Sequence, residues 1–242
     1  MKNFTIKIDA ISQLSLEIMQ AILARDTEAQ KIMNDDSGPL ALASALSDFF
    51  QIAAQVETDE AYMESDDMKE FGSYGLDLLD RLDFLVRKLE IMDQLDIVSH
   101  AFPSLAVWLA RHDAIIENLQ GTADGFALIV NGLTERQDLA EMCQIMEEVI
   151  EAASDKLQMD DDRSNPLRPW RIINLNSGIA ATRSLDPELM EQTYEKLGRR
   201  LPYDMPDFLA DGKMQMMSQN VPEAVSEVMN RYAEKWTSKP PH

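Results

Sequence analysis

Three consecutive aspartates, Asp160, Asp161 and Asp162, form the densest group of potential metal ligands in the sequence. Carboxylate oxygens are the ligands that Mg²⁺ prefers, but a site that also holds a phosphorylated substrate needs a second acidic group facing the first. The only candidates for that second group are Asp77, Asp80 and Asp83. They are spread over the face of a predicted helix that lies opposite Leu78 and Leu82. We therefore expect a solvated acidic surface and no metal site, and keep a helical enzyme that uses acidic clusters and a divalent metal as an alternative.

Side chains for nucleophilic or general-base catalysis are scarce. Cys143 is the single cysteine, so no intramolecular disulfide can form, and without an adjacent base it is expected to be a buried structural thiol. The histidines are His100, His112 and His242, and none has the Glu-x-x-His spacing that a di-iron site in a helical bundle requires. Glycine-rich phosphate loops and the Gly-x-Ser-x-Gly motif are also missing. The sequence thus predicts no catalytic residue and no cofactor, and a protein that is not an enzyme.

A group of arginines stands out in a strongly acidic chain. Residues 163–213 carry eight basic and seven acidic side chains, whereas the whole chain has 22 Lys and Arg against 43 Asp and Glu. Arginines beside an aromatic ring can bind a carboxylate or a phosphate, but they can equally pair with the chain's own acids or stabilise the end of a helix. We expect self-pairing for this group. Arg163, Arg168 and Arg171 flank Trp170 in the sequence, and Arg199 and Arg200 end the next predicted helix.

The formal net charge of −21 limits the classes of partner. Phosphate contacts require clustered Lys and Arg, so the charge argues against binding nucleic acid, and it argues equally against docking on an anionic membrane. No run of about 20 apolar residues could span a bilayer, and the N-terminal segment lacks a signal-peptide core. We therefore expect a cytoplasmic protein. An acidic decoy that mimics DNA and occupies a basic protein stays open as an alternative.

Helical periodicity accounts for most of the chain. Only 9 Gly and 10 Pro interrupt its 242 residues, and apolar residues recur three and four positions apart. The strongest predicted helices cover 39–56, with Pro39 in the first turn, and 139–157, with a capping box between Asp138 and Glu141. Other helices are predicted to begin near Asp9, Asp67 and Pro103, with a short one over 27–34, while 121–125 is either a break or a helix start.

The polar stretch 159–169, with two prolines, is the best candidate linker. We still predict one domain over 1–242, with a subdivision into an N-terminal helical part, 1–158, and two hairpins, 171–238. The fold expected is all-α, with about nine to eleven helices stacked as antiparallel hairpins.

The two hairpins after the linker repeat at a fixed spacing. The first has helices near 171–183 and 187–200, and the second near 206–218 and 222–236. Gly178 and Gly212 are 34 residues apart, and so are Asp186 and Asn220, each of which precedes a prolyl helix start. This pattern resembles the tetratricopeptide repeat, a family of 34-residue helix-turn-helix units. In that register Tyr194, Pro202 and Phe208 also occupy family positions, and the hairpin 126–154 matches more loosely.

The resemblance implies a right-handed superhelix in which the first helix of each hairpin lines a concave peptide-binding groove. By register the groove residues are Leu175, Ile179, Thr182, Arg183, Leu209, Lys213, Met216 and Met217. Flexible Met side chains suit adaptable recognition of an apolar peptide. We therefore expect a non-enzymatic adaptor that binds a protein or peptide partner, or a second copy of itself as a homodimer. In the alternative, an irregular helical bundle, these residues are core.

Overall fold

The computed structural model describes residues 4–29, 38–59, 62–160, 162–217 and 221–237. Apart from one isolated parallel bridge between Ile116 and Ala153, every regular element in these ranges is helical. A 3-10 turn, Met92–Gln94, precedes the fourth of eleven α-helices. The α-helices are α1 Ile8–Ala29, α2 Pro39–Thr58, α3 Ser65–Lys88, α4 Leu95–Arg111, α5 Gln120–Gly132, α6 Arg136–Ala152, α7 Asp155–Gln158, α8 Pro169–Ser184, α9 Pro187–Arg200, α10 Met205–Met217 and α11 Glu223–Thr237.

The predicted all-α fold is confirmed, and local sequence signals explain several helix ends. Helix α9 begins and ends where the sequence predicts. Pro187 occupies its first turn, and the carboxylate of Asp186 accepts hydrogen bonds from the main-chain N–H groups of Glu188 and Leu189 at 3.0 and 3.1 Å. A proline that needs no N–H and a capping aspartate are the two strongest local start signals. Just before them, Leu185 ends α8 in the left-handed conformation.

The expectation that Pro103 starts a helix is wrong, because Pro103 lies inside α4. A proline in a helix interior removes one main-chain hydrogen bond, here the bond to the carbonyl of Ser99. The helix persists because all residues from 100 to 109 are buried in the core, so packing outweighs the local penalty. The undecided segment 121–125 is helical and belongs to the first half of α5.

Two predicted boundaries in other helices also differ. Helix α6 ends at Ala152 and not near residue 157, because the chain turns into an extended segment there. The N–H of Ile116 donates to the carbonyl of Ala152 at 2.8 Å, and the N–H of Ser154 donates to the carbonyl of Ile116 at 2.9 Å. The predicted capping box is absent, since the residue before α6 is Glu135 and makes no side-chain cap. Of the short helix predicted over 27–34, residues 27–29 end α1, and the rest lies outside the described residues.

The hydrophobic core is continuous on both sides of the stretch 159–169. In the N-terminal part, α4 packs against α1, α3, α5 and α6. Across that stretch, α8 packs against α5 and α6, and the indole N–H of Trp170 donates to the carbonyl of Ile150 at 3.3 Å. None of the described helices combines the length and the apolar character that crossing a bilayer requires.

The C-terminal helices pack as successive pairs. Helix α8 contacts the preceding pair, α5 and α6, and its own partner α9. The next pair is α10 and α11, in which α10 contacts α8 and α11 contacts α9. This arrangement is compatible with a helical-repeat fold. It places α8 and α10 side by side as the first helices of neighbouring hairpins.

Candidate functional site

A groove of about 240 Å³ lies between α8 and α10. Its apolar surface comes from Leu175 and Ile179 of α8 and from Phe208 of α10. Gly178 makes the close approach of the two helices sterically feasible, because a Cβ at this position would lie 2.8 Å from Cζ of the Phe208 ring. We call this cavity the α8–α10 groove. It is lined by Arg171, Leu175, Ile179, Thr182, Arg183, Asp204, Asp207, Phe208, Asp211, Gly212 and Gln215.

A buried aromatic cluster supports the Phe208 side of the groove. The ring of Tyr194 meets those of Phe208 and Tyr232 edge-on, with centroids 5.6 and 5.4 Å apart. The Tyr194 hydroxyl lies 2.6 Å from Oγ1 of Thr182, and burial raises the pKa of Tyr194. Since Thr182 also donates to the carbonyl of Gly178 at 2.7 Å, the wall of the groove is tied to α8 by hydrogen bonds as well as by packing.

The two arginines of the groove are both used within the protein. Arg171 pairs with Asp204, with Nη2 and Oδ1 2.5 Å apart, and also donates to the carbonyl of Pro166 at 2.8 Å. Arg183 donates to the carbonyls of Val130 and Leu133 at 2.6 and 2.5 Å. These carbonyls lie at the C-terminal end of α5, where a helix leaves acceptors unsatisfied. Arg183 therefore stabilises the packing of α8 on α5 and is not a free cation.

The free charges of the groove are negative. Asp207 and Asp211 are exposed, lie one helical turn apart on α10, and form no ion pair with any described residue. Their side chains flank the same surface as Phe208. A segment lying in the groove would therefore meet an apolar floor between Leu175, Ile179 and Phe208 and a carboxylate edge.

The structure brings together half of the residues that the repeat register predicted for a groove. Leu175, Ile179, Thr182 and Arg183 line it. On α10, Leu209 and Met216 are buried at 1% and 9% exposure, whereas Lys213 and Met217 are exposed and line no part of this groove.

The repeat register did not predict Phe208, Asp207 and Asp211 as groove residues, although all three line the groove. Phe208 was placed on a family aromatic position, and that signal could have identified it as part of the groove. The four-residue spacing of Asp207 and Asp211 was the signal for the carboxylate edge.

A second cavity, of about 320 Å³, contains most of the arginine group. We call it the arginine cavity. Its lining includes Arg163, Arg168, Arg199 and Arg200, together with Asp160, Trp170, Tyr203 and Asp204.

The self-pairing prediction is confirmed for Arg171, which pairs with Asp204, and for Arg200, which pairs with Glu147. Arg163 and Arg199 form no ion pair with any described residue, and Arg163 stacks on the ring of Tyr203 at 3.4 Å from its centroid.

The remaining candidates for chemistry are accounted for by packing and local bonds. Cys143 is a buried thiol, as predicted, 3.4 Å from Oγ of Ser177 and 3.5 Å from Oγ1 of Thr193, and burial raises its pKa. His112 ends α4, with Nδ1 2.7 Å from the carbonyl of Trp108. Burial also raises the pKa of Asp80, whose carboxylate accepts from Nδ2 of Asn118 at 2.9 Å.

Among the described residues, no three or more His, Cys, Asp or Glu side chains are grouped so as to hold a metal ion. Asp161, one of the three consecutive aspartates, lies outside the described residues. The carboxylate of the neighbouring Asp162 accepts from the main-chain N–H and the hydroxyl of Ser164 at 3.0 and 2.6 Å.

No family model, no curated protein and no solved structure matches this chain. The resemblance to the tetratricopeptide repeat therefore depends on the residue pattern and on the packing of the helix pairs alone.

Proposed function

We propose that this protein is a non-enzymatic adaptor whose α8–α10 groove binds a partner segment that carries one large apolar side chain flanked by Lys or Arg. The observation that carries the proposal is the combination of an apolar floor and unpaired carboxylates in one groove. Both features lie on the first helices of neighbouring hairpins, where the tetratricopeptide resemblance puts the binding surface.

The size of the groove suits a single apolar anchor. An apolar cavity of about 150 Å³ accommodates a benzene ring, and the α8–α10 groove has about 240 Å³. Ile179 is 38% exposed although it is a large aliphatic residue in the middle of α8. Covering it with an apolar side chain removes more apolar surface from water, which favours binding by about 25 cal/mol per Å² before the costs of association.

The charges of the groove select basic flanks. Asp207 and Asp211 form no ion pair with a described residue, so a bound segment can supply a Lys or Arg partner for them. The arginines of the groove are already bonded to Asp204 and to main-chain carbonyls. The net charge of −21 adds long-range attraction for a basic segment and repulsion between two copies of this chain. A basic partner therefore fits the groove better than a homodimer does.

The direct test is selection from a random peptide library displayed on phage, with the full chain as the target. The enriched peptides are then measured in solution by fluorescence polarisation. We expect an apolar or aromatic residue with neighbouring Lys or Arg to be enriched. Ile179→Asn should weaken the best peptide about tenfold, because it removes an apolar contact without adding charge. Leu40→Asn, at an exposed aliphatic residue of α2, is the matched control and should leave the affinity unchanged.

The other candidate functions give different results in the same experiment. A DNA-mimicking decoy would bind basic peptides without an apolar anchor and lose them steeply as salt rises. A homodimer would elute at twice the monomer mass in size exclusion, and Ile179→Asn would shift it to the monomer. Selection of peptides whose affinity is equal for wild type, Ile179→Asn and Leu40→Asn would overturn the groove proposal.

A further inference from the structure

Three of the arginines that line the arginine cavity, Arg163, Arg168 and Arg199, form no ion pair with a described residue. Four arginines line it against two aspartates, Asp160 and Asp204, in a chain with almost twice as many acids as bases. Asp204 already pairs with Arg171, and Glu147 outside the cavity pairs with Arg200. The unused charge at the cavity surface is therefore positive.

The geometry prepares these guanidinium groups for a ligand. Arg168 is 8% exposed, and its Nε and Nη1 donate to the main-chain carbonyls of Asn165 and Asp160. Its Nη2 makes no hydrogen bond to a described residue. Cζ of Arg163 lies over the ring of Tyr203, 3.4 Å from its centroid, and this contact restricts the side chain, which reduces the entropy lost on binding.

Arg199 completes the set from the last turn of α9. It is exposed, lines the same cavity and has no partner among the described residues. In a protein with an excess of carboxylates, arginines without a ligand would be expected to form ion pairs with those carboxylates. Arg163 and Arg199 instead line the same cavity as Arg168.

We propose that the arginine cavity binds a compact phosphate group of the monoester class, held by the guanidinium groups of Arg163, Arg168 and Arg199. Nη2 of Arg168 and the guanidinium groups of Arg163 and Arg199 supply N–H donors and three positive charges, which suit the three terminal oxygens and double charge of a phosphate monoester better than the single charge of a carboxylate. The site is separate from the apolar floor of the α8–α10 groove and does not depend on the adaptor function.

The charge of the whole chain restricts the ligand to a compact one. Screening limits strong attraction to within about 8 Å of the arginines at physiological ionic strength. A phosphate inside a cavity of about 320 Å³ stays within that distance. An extended polyanion such as nucleic acid would also be repelled by the net charge of −21 of the whole chain, so it is disfavoured.

The test is isothermal titration of the full chain with three probes. They are inorganic phosphate, a blocked phosphoserine peptide with its unphosphorylated counterpart, and a short single-stranded DNA. We expect the phosphorylated peptide or inorganic phosphate to bind, the unphosphorylated peptide not to bind, and the DNA to bind more weakly per phosphate. Equal affinities for inorganic phosphate and the phosphopeptide would identify a free phosphate compound as the ligand, and a stronger phosphopeptide would identify a protein.

Arg163→Gln and Arg199→Gln should each reduce the affinity about tenfold or more, since each removes a charge-assisted hydrogen bond. Arg231→Gln is the matched control, because Arg231 also lies near a tyrosine ring, that of Tyr232, but belongs to α11 outside the cavity. Both cavity variants change exposed side chains, and circular dichroism verifies that each is folded. Absence of binding to wild type, equal losses in Arg231→Gln, or binding of the DNA alone would each overturn the proposal.

Discussion

Gly125 of α5 lies directly against the main-chain carbonyl of Ser99 in α4. A Cβ at Gly125 would be 2.2 Å from that oxygen and 2.6 Å from Cδ of Pro103. Pro103 has no N–H to donate to the carbonyl of Ser99. Gly125 packs at this place in α4, against both the free carbonyl and the proline ring. The contact matters for the groove because the C-terminal end of α5 is held by Arg183, which lines the groove.

Gly125→Ala should therefore destabilise the protein although alanine favours helices. The intrinsic gain of about 1 kcal/mol is smaller than the cost of displacing a rigid carbonyl and a proline ring, so we expect a net loss of about 1–3 kcal/mol in the free energy of unfolding. Urea denaturation followed by circular dichroism measures the change. Gly132→Ala is the control, since a Cβ there meets nothing within 4 Å. It should be neutral or stabilise by up to about 1 kcal/mol, and equal effects of both substitutions would refute the steric explanation.

The ion pair between Glu147 and Arg200 should make stability depend on pH in the acid range. Burial alone would raise the pKa of Glu147, but the hydrogen bonds and charges of Arg200 and Lys196 outweigh it and lower the pKa. The stabilisation is therefore complete above the unfolded pKa of about 4.3 and is lost as pH falls through the lower folded value.

Glu147→Gln should cost about 1–3 kcal/mol at neutral pH, because it removes charge-assisted bonds to Arg200 and Lys196. The difference from wild type should shrink below about pH 4, where the carboxylate of the wild type is protonated as well. Urea midpoints at both pH values provide the measurement. Glu148→Gln is the control, because the pair of Glu148 with Arg111 is more exposed and should contribute less than about 1 kcal/mol. A constant difference between Glu147→Gln and wild type at all pH values would contradict the assignment.

Tyr194 should contribute to the loss of stability at alkaline pH. Burial, the largest cause, raises its pKa above the unfolded value of about 10. A group with a raised folded pKa stabilises fully below the unfolded pKa and loses that contribution as pH rises above about 10. Tyr194→Phe should cost about 0.5–1.5 kcal/mol at neutral pH, because the Thr182 hydroxyl keeps its bond to the Gly178 carbonyl.

The alkaline decline should be shallower in Tyr194→Phe than in wild type. Urea midpoints between neutral pH and about pH 11 measure this difference, with ultraviolet absorbance of tyrosinate to follow ionisation. Tyr74→Phe, at a residue that is 47% exposed, is the control and should leave the decline unchanged. Parallel declines in all three proteins would rule out Tyr194 as a contributor.

Cys143 should be inert towards thiol reagents in the folded protein. Its side chain is 2% exposed, and burial raises its pKa, so little thiolate is available. We expect its labelling by a chromogenic disulfide reagent to follow unfolding in urea, and to be fast only in the denatured chain. Rapid stoichiometric labelling of the native protein would show that the helices around Cys143 open easily.

Local signals determined where several helices begin and end. Asp186 and Pro187 define the start of α9 by a side-chain cap and a fixed backbone angle, which need no distant partner. The prediction that Pro103 starts a helix was wrong because it used the same local rule. Burial of the neighbouring residues and the close contact of Gly125 overrode the rule there.

The groove residues depended on information that the repeat register does not contain. Successive residues on a helix differ by about 100°, so a displacement of one position changes a groove residue into a core residue. Phe208 lines the α8–α10 groove, whereas Leu209, which the register predicted, is 1% exposed. Arg183 has the predicted position, but its guanidinium is bonded to carbonyls about 50 residues earlier in the chain.

The sequence by itself determined that the chain is all-α, that its C-terminal half forms helical hairpins, and that its single thiol is buried. Periodicity, caps and the shortage of helix breakers decide these properties within a few turns of chain. Tertiary structure decided which side of α10 faces α8, and which of the arginines form no ion pair with a described residue. These properties depend on the rotation of each helix against its neighbours and on partners far away in the chain, and neither is encoded in local spacing.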